Sequence, residues 1–170
     1  MKRFALLALL SLLPLAASAQ ASDFAVEGGA LVWRRVYSKA TTTEAVVRNL
    51  LASGLFKDVQ ASGDIVTAEL RGLSLEYKSL GYTRMELPIY LVNDKFSAFV
   101  TVQVREGRYR ATVERIKMYS RNYGESTIES QAVKGGALAP KFQGAPARIV
   151  GHNLDSILSQ LDKNTANDDW

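Results

Sequence analysis

The chain has 170 residues, 47% of them hydrophobic, with 21 Lys and Arg against 17 Asp and Glu, one histidine and no cysteine. That apolar content argues against global disorder, and the absence of thiols excludes disulfides, thiolate metal sites and a lipid-modified N-terminal cysteine. Removing Lys2 and Arg3 with an N-terminal leader takes 21 basic residues to 19 against 17 acidic ones, a net charge of +2 that argues against nucleic acid as a partner.

Lys2 and Arg3 precede an apolar run from Phe4 to Leu15, followed by Ala17-Ser18-Ala19. A charged start, a short apolar stretch and an A-x-A site make a secretory signal peptide over residues 1–19. Cleavage is expected after Ala19, leaving Gln20 first, with the bond after Ala21 as the alternative. The run is too short to span a bilayer, which takes about 20 apolar residues. No later stretch approaches that length, so a soluble mature chain is expected, periplasmic or secreted. An exported domain without disulfides has to rely on its core, which suits a bacterial periplasm. Residues 24–163 are expected to form one domain, with 164–170 a flexible acidic tail.

Ala30 to Tyr37 is rich in β-branched and aromatic residues and reads as a strand. Thr41 and Glu44 have the spacing of a capping box, and a helix over 42–53 would place Val46, Val47, Leu50 and Leu51 on one stripe. Gly54 would close it in the left-handed conformation. Gly63-Asp64 marks a turn, and Val66, Ala68 and Leu70 alternate as one face of a strand over 65–70. Residues 73–84 alternate without a clear end. Residues 86–92 read as a strand, with Pro88 at an edge or a bulge.

The hairpin at Glu106-Gly107 is the best-specified element. A two-residue turn there pairs Arg105 with Arg108, Val104 with Tyr109, Val102 with Ala111 and Val100 with Val113. The apolar side chains then share one face. Phe99, Thr101, Gln103 and Arg105 share the other with Arg108, Arg110, Thr112 and Glu114. A slip of one residue would expose the whole apolar set. Ile116 and Met118 continue in the opposite phase, which a bulge near Arg115 explains. Residues 121–145 are polar and glycine-rich, and read as a long, functional or mobile connection. Pro146 fits the first turn of a last helix that carries Ile149, Val150, Leu154, Ile157, Leu158 and Leu161 on its apolar side.

These elements give the order β-α-β-β-β-β-α. The fold class expected is α+β, a two-layer sandwich of an antiparallel sheet with two helices on one face and the other face wet. The segment Val102-Gln103-Val104-Arg105-Glu106-Gly107-Arg108-Tyr109-Arg110-Ala111-Thr112-Val113 resembles the strand, acidic-Gly-Arg-Tyr-Arg, strand signature of an exported bacterial family. That family is a domain of unknown function assigned a TATA-binding-protein-like fold. The resemblance covers roughly residues 30–121. It implies a sheet backed by helices and signal-directed export, and it brings no catalytic residues or activity.

Little in the sequence suggests catalysis. One histidine, His152, reads as a surface or boundary residue, and no G-x-S-x-G turn accompanies it. Glu125 and Glu129 lie in a polar stretch with no apolar setting to raise a carboxyl pKa, and Asp168-Asp169 belongs to the tail. Gly28-Gly29 and Gly135-Gly136 lack the spacing of a phosphate loop. Trp33 and Tyr37 share one side of the first strand and read as packing. No cofactor and no metal are called for. The concentration that carries a binding hypothesis is Phe99, Gln103, Arg105, Arg108 and Arg110, since guanidinium forks grip carboxylates or phosphates and an aromatic ring offers a stacking surface. The plainer reading is a solvated face whose charges discourage edge pairing. The function expected is a non-enzymatic binding or accessory module of the envelope, partnered by a protein or other envelope component. The alternative is a hydrolase or inhibitor-like protein that uses residues 121–145.

Overall fold

Gly28 and Gly29, both at positive φ (58° and 84°), fold the chain back so that β1 (Phe24–Glu27) pairs with β2 (Ala30–Tyr37). Such φ values favour glycine because no Cβ meets the carbonyl. The computed structural model describes residues 23–163. The expected leader (1–19) and tail (164–170) lie outside the described residues.

After β2 come α1 (Thr43–Ala52), β3 (Phe56–Ser62) and β4 (Ile65–Leu73). A single 3-10 turn (Arg84–Glu86) and a short helix, α2 (Ile89–Asn93), lead into the long hairpin of β5 (Lys95–Arg105) and β6 (Arg108–Ser120). The chain then forms β7 (Gly124–Thr127), α3 (Glu129–Ala132), β8 (Val133–Lys134), β9 (Ala137–Leu138) and α4 (Ala145–Leu158). Among the described residues, seven strands form one antiparallel sheet in the order β1-β2-β6-β5-β4-β3, with β7 on the far half of β6.

The architecture is α+β. Val66, Val100, Val102, Tyr109 and Trp33 point to the inner side of the sheet, where they meet Val46 and Leu50 of α1 and Ile149, Leu154 and Leu158 of α4 in one core. The hairpin has the register its alternation requires: Arg105 opposite Arg108, Val104 opposite Tyr109, Val102 opposite Ala111 and Val100 opposite Val113. The pairing shifts between Ser97 and Phe99, across from Arg115, whose φ is +52°. Counting by twos from Val113 would put Arg115 in the core. The bulge turns it out and sends Ile116 and Met118 in.

Several expectations need correction. The strand at 86–92 is absent; Pro88, with ψ at 140°, is the N-cap of α2. Five strands escape the sequence pattern: β1, β3 and, within 121–145, β7, β8 and β9. The α1 cap is Thr42, whose hydroxyl accepts from the Ala45 amide, while the Thr41 hydroxyl donates to the Leu161 carbonyl. Leu51 is 57% exposed, and Asn49 takes the buried place instead. Its Nδ2 donates to the carbonyls of Leu161 and Lys163, both at 2.9 Å. Residues 121–145 are not a long loop: they hold β7, α3, β8 and β9, and they bury Ile128, Ala132 and Phe142 completely.

Candidate functional site

The outer side of the sheet is uncovered among the described residues. Antiparallel pairing lines up Val36, Arg110, Gln103 and Ile65 in one row across β2, β6, β5 and β4. Gly107, with φ at +69°, closes the hairpin just beyond. A shallow hollow of about 170 Å³ opens there, lined by Val36, Gln103, Arg105, Arg108, Tyr109 and Arg110. The Arg110 guanidinium donates to Gln103 Oε1 at 2.9 Å, and Gln103 Nε2 reaches Asp64 Oδ2 at 3.4 Å. Arg34, Arg35 and Arg71 each hold a carboxylate, whereas Arg105, Arg108 and Arg110 have no ion pair among the described residues. Three guanidinium groups without carboxylates around one hollow leave a local positive potential, which charge pairing elsewhere on the sheet cancels.

The structure thus brings together four of the five residues singled out in the sequence. Phe99 is set apart, opposite Glu69 and Glu114 and further from the turn. The Arg115 guanidinium covers its ring at 4.3 Å, a cation–π contact that uses the surface a ligand would have stacked on. The neighbouring charges are mutually satisfied: Arg71 with Glu69 and Asp58, and Lys117 with Glu125 at 2.8 Å. Glu129 accepts from the Leu31 amide at 3.1 Å, so Glu125 and Glu129 serve separate structural contacts.

A second concavity, of about 800 Å³, lies between β2 and the outer stripe of α4, with residues 80–82 on its other wall. Here the residues read from sequence as packing or surface meet. Trp33 is fully buried, and its Nε1 has no hydrogen-bond partner among the described residues. Gly151 brings α4 down onto this floor: a Cβ there would sit 3.4 Å from Phe24 Cε2 and 3.6 Å from Trp33 Nε1. Arg35 bridges two carboxylates, Asp155 at 2.7 Å and Asp23 at 3.0 Å. Asp155 also accepts the Tyr37 hydroxyl at 2.8 Å. Burial pushes the Asp23 carboxyl above its ordinary range; Arg35 opposes this, and the Asp155 charge adds to it. His152 is exposed on the rim, and the Arg148 guanidinium stands 6.0 Å from the Tyr82 ring centre. The sequence held one signal for this site, the polar stripe of Arg148, His152 and Asp155 at helical spacing. Any solvated helix carries such a stripe, so the signal does not discriminate.

Among the described residues, no group of three or more His, Asp or Glu side chains is placed to hold a metal ion, and no helix is long and apolar enough to cross a membrane.

The fold is similar to that of a DUF4468 family protein from Bacteroides ovatus, at 9% identity over 88% of this chain and 95% of that one, with a TM-score of 0.52. A TBP-like protein from Parabacteroides distasonis aligns at 9% identity over 79% of this chain and 92% of that one, with a TM-score of 0.47. No family model matches the chain, and no curated protein matches it in sequence. The resemblance carried by the hairpin therefore has a counterpart in fold, a domain of unknown function in a bacterium. At this identity the likeness concerns architecture alone and transfers no site.

Proposed function

We propose that the protein is an exported, non-enzymatic binding or accessory module of the bacterial envelope, and that it takes its partner on the uncovered sheet face at the hairpin end. The observation that carries this reading is the convergence of Arg105, Arg108 and Arg110, none ion-paired among the described residues, around Val36, which is 54% exposed. Guanidinium forks give directional, charge-assisted bonds to carboxylate or phosphate, and an apolar centre inside a charged rim is a common form of interaction surface. The partner is an envelope protein or component that presents acidic groups, and the reading calls for no cofactor. The sequence of residues 1–19 supports export. The alternative that relied on a free 121–145 loop loses its premise, because that segment is built into the core.

The test is a photo-crosslinking residue at Thr101, on the same face, in cells that export the protein. Crosslinked partner is expected with the parent sequence and is expected to vanish when Arg105, Arg108 and Arg110 are all changed to Ser. The variant's unfolding free energy should stay within about 0.5 kcal/mol, as for exposed sites generally. Crosslinks that survive the triple change would reject the arginine face. Recovery of the full-length, uncleaved chain in the cytosol would reject export.

A further inference from the structure

The β5–β6 hairpin has a second end, about 30 Å along the strands from the Glu106-Gly107 turn. There a hollow of about 400 Å³ opens between α2, the end of β6 and the turn into β7. Its size falls within the range of small-molecule sites, about 300–1,000 Å³. We infer that it is a further binding site, for a short apolar zwitterion (a hydrophobic amino acid or a dipeptide) whose ammonium meets Asp94 and whose carboxylate meets Lys141.

Local structure supplies the surface for the apolar body. The bulge at Arg115 sends Met118 inward, where it is buried beneath the hollow. The single turn of α2 brings Ile89 and the half-buried Tyr90 to one side, and the β6–β7 connection brings Tyr123. Ile89 and Tyr123 are both exposed. One large apolar side chain in water needs no account, but two lining one hollow offer contact area to a ligand.

The two ends of the ligand follow from charge. Asp94 is half-buried, and burial raises its carboxyl above the ordinary range, with the Ser120 hydroxyl opposing this. No cation offsets that loss of water. Asp94 has no ion pair among the described residues, its chain neighbour Lys95 donates to the Ser74 hydroxyl, and Lys117 is paired with Glu125. Lys141 has a neutral acceptor, Gln131 Oε1 at 3.1 Å, and no carboxylate among the described residues. The acids of the neighbouring elements are engaged elsewhere, Glu125 with Lys117 and Glu129 with the Leu31 amide. One charge of each sign therefore lines the same hollow, and the two do not pair with each other. A ligand that carries both signs satisfies both groups, whereas a simple anion or cation would satisfy one and be opposed by the other. The hollow shares no lining residue with the arginine face, so the assignment is independent of the partner proposed there.

The protein, labelled with 15N, is titrated with leucine and with the dipeptide leucyl-leucine, which separates the two sources of this chemistry. At least one probe is expected to move the backbone amides of Asp94, Ser126 and Gln131 and to leave those of Arg105 and Arg108 in place. Acetylating the amine of that probe, or amidating its carboxylate, should each weaken it about fivefold or more, the upper range for partly exposed charge pairs. Asp94→Asn should bind the acetylated and free-amine forms alike, and Lys141→Gln the amide and the acid alike. The triple arginine variant of the hairpin face should respond like the parent. Amides that stay fixed up to the solubility limit of both probes, blocked probes that bind as well as free ones, or an unchanged preference in Asp94→Asn would overturn the assignment.

Discussion

Tyr37 and Tyr109 stack side by side on neighbouring strands, with ring centres 4.7 Å apart and planes 24° from parallel, and both hydroxyls end on α4. Tyr37 donates to Asp155 Oδ1 and Tyr109 to the Leu158 carbonyl, each at 2.8 Å. The pair joins sheet to helix with two hydrogen bonds and a shared apolar surface.

Burial holds both phenol pKa values well above the ordinary tyrosine value, with the hydrogen bond to Asp155 adding for Tyr37 and the Asp162 charge adding for Tyr109. A raised folded-state pKa means that the unfolded chain loses its protons first. Stability is therefore complete below about pH 10 and declines as pH rises above it. Urea unfolding between pH 8 and 12 should show this decline, and Tyr37→Phe and Tyr109→Phe should each flatten it. At pH 8 each change should cost about 0.5–1.5 kcal/mol, the net value of one hydrogen bond. Identical slopes in parent and variants would refute the assignment.

Asn153 fastens the segment after β4 to α4. Its Oδ1 accepts the Glu76 amide at 2.8 Å, and its Nδ2 donates to the carbonyls of Glu76 and Ile149 at 2.9 and 2.8 Å. Asn153→Ala should cost about 1–3 kcal/mol, the range for buried groups left unpaired. Asn153→Asp keeps the acceptor and turns a carboxylate toward two carbonyls, so it should restore little. Amide exchange at Glu76 is the direct measurement, and unchanged protection in both variants would contradict this role.

Arg115 separates backbone strain from side-chain contact. At φ +52°, glycine relieves the conformation but removes the guanidinium from Phe99. Arg115→Gly is therefore expected to leave stability within about 1 kcal/mol of the parent. Arg115→Val, β-branched in the left-handed region, should lose about 1–3 kcal/mol. Chemical denaturation decides the matter: a glycine variant less stable than the parent by more than about 1 kcal/mol would mean that the contact outweighs the strain, and a glycine variant weaker than the valine variant would mean that the positive φ carries none.

Phe142 shows whether 121–145 is framework or appendage. Its ring is fully buried and meets Phe24 edge-on at 5.3 Å between centres. Phe142→Ala should cost about 3–5 kcal/mol. A loss below about 1 kcal/mol in urea titration would restore the loop reading.

What the sequence disclosed follows from how each element is buried. The β5–β6 register and the bulge at Arg115 were legible because both strands have one face in the core and one in water over many residues. β1 and β3 were not. Each is an edge strand with little buried surface (in β3, Phe56 is the one fully buried residue), so no alternation develops. Residues 86–92 have strand-like composition, but Pro88 and one helical turn settle a stretch too short to show a period. The polar look of 121–145 reflects four small elements that bury few side chains each. With Thr41 beside Thr42, the sequence offered two caps, and the Leu161 carbonyl claimed the first. The arginine hollow could be foreseen because one hairpin register places most of it. The α4 concavity could not, since Asp23, Trp33 and Arg148 meet only after the whole sheet has closed.

The strand order has a kinetic side. The hairpins β3–β4 and β5–β6 join neighbours in the chain and close quickly, but β2 reaches its place only by pairing Trp33 with Val113, eighty residues further on. Closing so wide a circuit is slow, because the entropy of the intervening chain is lost before the contacts repay it. The β1–β2 hairpin and the β3–β4 hairpin with α1 can each form early, but they are joined into one sheet only once β5 and β6 lie between them.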